Sequence, residues 1–228
     1  MKPIGHSKEI MQVLGILGQD AGALCSDVIA QLDGAVAVIE TQETIDQTFN
    51  DPHNTSSDVT TRYDLADTGH WRASGENHSV VDILDELSTT VDYTLVIGAS
   101  NARIPTVLLE TAVTDIDHDS THVVLTAETA TAIDTEDVVT AIESAEPHIT
   151  LSTLIDRVKS SSDADRAGAI ATFTGRVRAR DSDDDPETVR LRFETYDSVA
   201  DDRMREIESE LSERDGVFAV ELFHRTGI

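Results

Sequence analysis

The 228-residue chain carries 44 acidic side chains against 17 Lys and Arg, a formal net charge of -27 with a sequence pI near 4.3. Such a surface repels nucleic acid and anionic membranes, and the apolar runs at 13–17, 95–98 and 107–109 argue against a disordered acidic polymer. Three lysines beside fourteen arginines, with abundant Asp and Thr, resemble the surfaces of proteins from salt-loving organisms, where a Debye length of about 3 Å at molar salt mutes self-repulsion.

In chain order, the first apolar run, 12–17, predicts a strand, and the stretch GILGQDAGALCSD (15–27) carries it through a glycine turn into a helix over 22–32, with Leu24, Val28 and Leu32 four apart. No hydrophobic run of signal or membrane length precedes that strand, so a cytoplasmic protein without a membrane span is expected. The turn has the outline of a phosphate loop. A working loop needs Gly-x-x-x-x-Gly-Lys-Ser/Thr, in which the lysine reaches the outer phosphates and the hydroxyl holds magnesium. Here Gly18 and Gly22 are one residue too close, and Ala23 and Leu24 stand in the places of the lysine and the hydroxyl. The glycines therefore read as a tight strand-to-helix turn, with weak anion holding at the helix N-terminus as the alternative. Cys25, the lone cysteine, rules out an internal disulfide and reads as a small apolar side chain on this helix.

A β-prone run follows at 35–39, then a polar stretch, 46–67, that reads as a long loop. An amphipathic helix is expected at 80–87, strands at 93–97, 106–109 and 122–125, and a capped helix at 134–144. Short all-apolar strands separated by helices predict a mostly parallel sheet covered on both faces, an α/β domain. The eight histidines lack ligand spacing, and His118 between Asp117 and Asp119 is a weak metal candidate. No metal or cofactor is expected.

Charge divides the chain. Residues 1–150 hold 26 acidic and 5 basic side chains, whereas residues 151–228 hold 18 and 12, including eleven of the fourteen arginines. A boundary is expected beside Pro147-His148, giving domains 1–148 and 149–228. The second begins with a helix over 150–159. The segments 169–180 and 188–196 alternate apolar and polar residues and predict an antiparallel hairpin, followed by a helix with the stripe Ala200, Met204, Ile207 and Leu211, and a third strand at 217–223. Arg176, Arg178 and Arg180 fall on one strand face, with Arg190 and Arg192 available across the hairpin. Such a cluster suits bidentate grip of a phosphate or carboxylate; the alternative is pairing with nearby acidic residues. His224-Arg225 closes the third strand.

The segments GAIATFTGRVRARD (168–181), LRFETYDSVADDRMREIESEL and VELFHRTG resemble, in order and spacing, the large catalytic (MoaE-type) subunit of molybdopterin synthase. That resemblance implies a sulfur transferase acting on a cyclic pyranopterin monophosphate, the sulfur arriving as a thiocarboxylate on a small ubiquitin-like partner subunit. It also implies a homodimer of large subunits. Carried over by position, Arg178, with Arg176 beside it, binds the anionic substrate, His224 and Arg225 match a His-Arg pair near the active site, and Phe173, Gly175 and Glu194 match framework positions. The family continues to a lysine-bearing P-x-W-K-x-E segment, so the resemblance implies a C-terminally truncated domain, impaired in catalysis. DYTLVIGASNARIPTVLL (92–109) and the strand–turn–helix start resemble the MobB-type P-loop proteins of the same pathway, with Ile97 in place of their glutamate. A degenerate P-loop domain fused ahead of an incomplete α+β synthase domain is the expectation; a non-catalytic pathway adaptor and a GTP-binding MobB-type protein are the alternatives.

Overall fold

A computed structural model describes residues 10–42, 61–99, 102–109, 122–175, 178–180, 182, 184–187 and 197–224. The chain divides into two compact units between Thr150 and Leu151.

The first unit is built on a five-stranded sheet. Its elements are β1 (Gln12–Leu17), α1 (Ala21–Ile29), β2 (Val36–Glu40), the hairpin β3 (Thr61–Leu65) and β4 (Trp71–Gly75), α2 (Val80–Leu87), β5 (Tyr93–Ile97), β6 (Pro105–Leu109), β7 (His122–Ala127) and α3 (Thr135–Ser144). The sheet runs β2-β5-β1-β6-β7, every pair parallel. All six residues of β1 are buried, as a central strand with both faces covered requires, and this is why QVLGIL reads as an apolar run without alternation.

Alternation reappears in where the side chains go. Leu14 and Ile16 join Tyr93, Leu95, Val107 and Leu109 in a cluster with Leu24 and Val28 of α1 and Val138 and Ile142 of α3. Val13, and Val96 on the adjacent β5, turn to the other face and cluster with Ile39, Ile104 and Leu84 of α2. Each fully buried Leu or Ile contributes roughly 1.5–3 kcal/mol, so these two layers dominate the unit's cohesion. Helix starts are specified locally. Ser79 and Asp82 form a reciprocal capping box on α2, and the Asp134 carboxylate accepts the Glu136 amide at 3.0 Å on α3.

Two expectations need correction. The polar stretch to residue 67 was expected to be loop, yet its described part, with the residues after it, forms a hairpin in register from Thr61↔Gly75 to Leu65↔Trp71. Its turn is closed by Ala66 N–H donating to the His70 carbonyl and Gly69 N–H to the Ala66 carbonyl, with Gly69 at φ +85.

The second correction concerns the second unit, which holds α4 (Leu151–Ser160), a 3-10 turn (Ala164–Arg166) and α5 (Asp197–Ser212). The expected strands at 169–180 and 217–223 are absent among the described residues, whose backbone there is irregular; residues 188–196 lie outside them. A strand exists only through its ladder, and along 217–223 side chains take the ladder's place. The Leu222 amide donates to the Glu208 carboxylate at 2.7 Å, Glu221 meets the Arg157 guanidinium at 3.5 Å, and the Arg166 guanidinium lies 4.6 Å from the centre of the Phe218 ring. The α5 stripe Ala200, Met204, Ile207 and Leu211 is half-buried as its spacing predicts.

Candidate functional site

In open parallel sheets, ligands sit beyond the carboxyl ends of the strands. In the first unit that end holds the turn after β1. Gly18 takes φ +117, and a Cβ there would overlap the Leu109 carbonyl at the end of β6. The glycine is thus required by close packing of one strand end on another. Asp20, at φ 63, precedes α1 without capping it through its side chain; its carbonyl accepts the amides of Ala23 and Leu24 at 3.0 and 3.2 Å. Gly22 is exposed, and a Cβ there would meet nothing within 4 Å.

The two positions where phosphate chemistry would be needed are instructive. Ala23 is exposed but offers no donor, and Leu24 is only 1% exposed, packed into the cluster beneath α1. The position where a phosphate loop would place its hydroxyl holds a core side chain. At the neighbouring strand end, Ile97 packs against the same cluster. Its carbonyl is taken by the amide and hydroxyl of Thr41, at 2.9 and 3.1 Å, while Gly98, at φ +86, donates to the Ile16 carbonyl at 3.2 Å. The Thr41 hydroxyl and amide and the Gly98 amide are thus paired within this end of the sheet. Cys25 is buried, and that burial, with Glu40 nearby, pushes its thiol above the ordinary range, so it rests as a protonated apolar side chain.

The arginines and the histidine of the second unit are placed differently. Arg178 and His224 are both exposed, each on its own irregular segment. Arg176 and Arg225 lie outside the described residues, as does the segment holding Arg190, Arg192 and Glu194. Arg180 pairs with Glu187 at 3.5 Å, an acidic neighbour on the same polar turn. Phe173 and Gly175, the framework positions just before Arg178, are exposed too, Phe173 at 95%. Sequence reasoning missed three supporting residues: Glu208, Arg157 and Arg166, which hold the segment ending at His224. Helical spacing gave no sign that these charged side chains would reach a segment expected to pair as a strand. His118 lies outside the described residues; among the described residues no group of three or more His, Cys, Asp or Glu is placed to hold a metal ion, and no helix among them is long and apolar enough to cross a membrane.

Comparison with known proteins decides the lineage. Residues 144–228 match the family model described as MoaE protein. Over 218 residues the chain is 44% identical to the "Probable molybdopterin synthase" of Haloferax volcanii, a match covering 96% of this chain and 80% of that relative. The chain belongs to the molybdopterin synthase family. Because that match spans nearly the whole chain, the family relationship includes the parallel-sheet unit as well as the segment of the MoaE model. A solved structure of Bacillus subtilis MobB also aligns, at 11% identity and a TM-score of 0.41, covering 58% of this chain and 99% of that one. Within this synthase family member, the motif residues Phe173, Gly175, Arg178 and His224 all fall inside the span of the family model.

Proposed function

We propose that this chain acts in molybdenum cofactor biosynthesis as the large subunit of a molybdopterin synthase, moving sulfur from a thiocarboxylated small subunit onto a cyclic pyranopterin monophosphate. The observation that carries this reading is the 44% identity over 96% of the chain to a relative named as a probable molybdopterin synthase. Residues 149–228 are read as the synthase domain, and residues 1–148 as a P-loop-like domain without nucleotide chemistry. In that reading Arg178, with Arg176 beside it, grips the substrate phosphate through a planar guanidinium fork. His224 and Arg225 stand near the partner's carboxyl-terminal tail and supply positive charge to it. The large subunits pair as a homodimer flanked by small subunits, in the cytoplasm.

Two features support the loss of nucleotide chemistry in the first domain: the burial of Leu24 where a hydroxyl is needed, and the pairing of Thr41 with the Ile97 carbonyl. The deciding experiment mixes the full chain with a thiocarboxylated small subunit and the precursor at molar salt and follows molybdopterin formation. Product above the no-enzyme rate is the expected result. Its absence, together with intact binding of the small subunit, would replace the enzyme with an adaptor that docks the same partner. Magnesium-dependent GTP binding in the micromolar range would restore the first domain as a nucleotide site.

A further inference from the structure

The segment 217–224 leaves α5 through a turn in which Gly216 takes φ +84 and the Val217 amide donates to the Arg214 carbonyl at 3.1 Å. Its described backbone has no strand ladder, so side chains from other elements fix its course, at three places. The Arg166 guanidinium, tied to Asp163 at 2.8 Å, lies over the Phe218 ring. Arg157 of α4 meets Glu221. Glu208 of α5 accepts the Leu222 amide at 2.7 Å, and His224 follows two residues later. Of the three contacts this one is nearest His224 in the chain, and it holds backbone rather than a side chain. Glu208 also differs from other carboxylates of its helix. Asp201, Asp202, Glu206 and Glu210 are exposed, and Asp202 and Glu206 pair within the helix with Arg205 and Arg203. Glu208 is half-buried and reaches fourteen residues along the chain.

We propose that Glu208 is a positioning residue for sulfur transfer: by anchoring the Leu222 amide it sets where His224 stands to meet the partner's carboxyl-terminal tail. The proposal rests on the sulfur-transfer reading for the role of His224, and on the contacts above for the anchor. A carboxylate accepting an amide proton makes a short, directional, charge-assisted bond. Without a ladder, each residue of the segment would otherwise sample many backbone conformations, and His224 with them. Fixing the backbone two residues upstream removes most of that freedom, and a group displaced by about 1 Å loses much of its effect. Glu208 therefore acts through His224, and its loss falls on the small subunit. The grip of Arg178 on the pyranopterin phosphate, carried by a separate segment, is left as it is.

Three variants of the full chain separate the contact from the charge. Glu208→Ala removes the acceptor, Glu208→Gln removes the same charge but keeps an amide oxygen in its place, and Glu210→Ala removes a charge from an exposed neighbour. By NMR at molar salt, Glu208→Ala should speed exchange of the Leu222 amide about tenfold and move the His224 ring resonances. Glu208→Gln and Glu210→Ala should stay close to the parent. In steady-state assays Glu208→Ala should raise KM for the thiocarboxylated small subunit about tenfold and leave KM for the precursor unchanged. Glu208→Gln should restore most of that loss. Adding Glu208→Ala to His224→Ala should cost nothing further, because the anchor has no other target. Unchanged Leu222 exchange, unmoved His224 resonances, or additive losses in the double variant would each overturn the proposal. A parent that forms no product would instead overturn the sulfur-transfer reading and, with it, the catalytic role. Failure of the anchor alone shows as unchanged Leu222 exchange in Glu208→Ala while the parent makes product.

Discussion

The two units hold together by different means. In the first, twelve buried residues on one face of the sheet and six on the other form continuous apolar layers. In the second, no apolar side chain among the described residues is buried; the half-buried stripe of α5 and contacts made by Arg157, Arg166 and Glu208 take that role. Apolar burial is indifferent to ionic strength at first order, whereas exposed ion pairs weaken as salt rises. The lesson is that one chain carries a unit whose stability is set by packing and another whose local order is set by charge. Mutations should separate the two cleanly.

The largest effect is expected from Leu24→Ala. It removes a side chain from the buried cluster that also holds Leu14, Val28 and Val138 and should cost about 3 kcal/mol, read as a lower denaturation midpoint for the first unit by circular dichroism. If instead the cost were a few tenths of a kcal/mol, the buried layer under α1 would not be the main support of that unit.

Next come the two glycines of the turn, which the sequence presents as a matched pair and the structure separates. Gly18→Ala must overcome both a φ of +117 and overlap with the Leu109 carbonyl, and should destabilise by about 2 kcal/mol. Gly22→Ala meets nothing and sits in the first turn of α1, so it should be neutral or stabilising by about 0.5 kcal/mol. Chemical denaturation of both variants side by side gives the answer. Equal losses would mean that both glycines serve the turn alike.

The same contrast explains what could be read in advance. The strands 12–17 and 93–97 and the helix 80–87 were legible to the residue, because apolar runs and helical spacing are local records of burial. The hairpin was not, because Thr61–Leu65 and Trp71–Gly75 alternate around a polar turn and their described side chains are exposed, which gives no strong signal. The strand expected at 217–223 alternates convincingly, yet alternation records only the wish to pair. The Leu222 amide is satisfied by Glu208 instead, a contact fourteen residues away that no period encodes. At the candidate site, the motif gave the residues Arg178 and His224; the support from Arg157, Arg166 and Glu208 was visible only in three dimensions.

For the charge-held unit, Arg178→Ala is expected to lower kcat/KM for the pyranopterin precursor about tenfold, with the loss mainly in KM, since a fork to a phosphate contributes about 1.5 kcal/mol. Arg178→Lys should recover only part of it, because a point charge replaces two parallel donors. Steady-state assays of both variants in the same salt check this, and an unchanged KM in Arg178→Ala would remove this residue from the anion grip.

The smallest effect concerns the start of α2, where charge supplements packing in the first unit. His78 Nε2 lies 3.2 Å from Glu86 Oε1, and this hydrogen bond to a carboxylate is the main reason its imidazole holds its proton above the ordinary range. Asp82 is shifted the other way: donation from the Ser79 hydroxyl and amide keeps its carboxyl below the usual carboxylate range. A raised folded-state value means that the His78 contact stabilises fully below about pH 6.5 and fades as pH rises through that higher value. A depressed value means that the Asp82 cap is complete above about pH 4 and is lost as pH falls through the lower one. Both groups are exposed to solvent, so the changes should be visible in chemical shifts and barely in the melting temperature. Following the His78 ring resonances by NMR, Glu86→Gln should move the midpoint down toward that of a free histidine and leave the Asp82 titration in place. A midpoint that ignores Glu86 would show that this ion pair has no weight at the surface, and that this histidine–carboxylate contact of α2 leaves the first unit governed by packing.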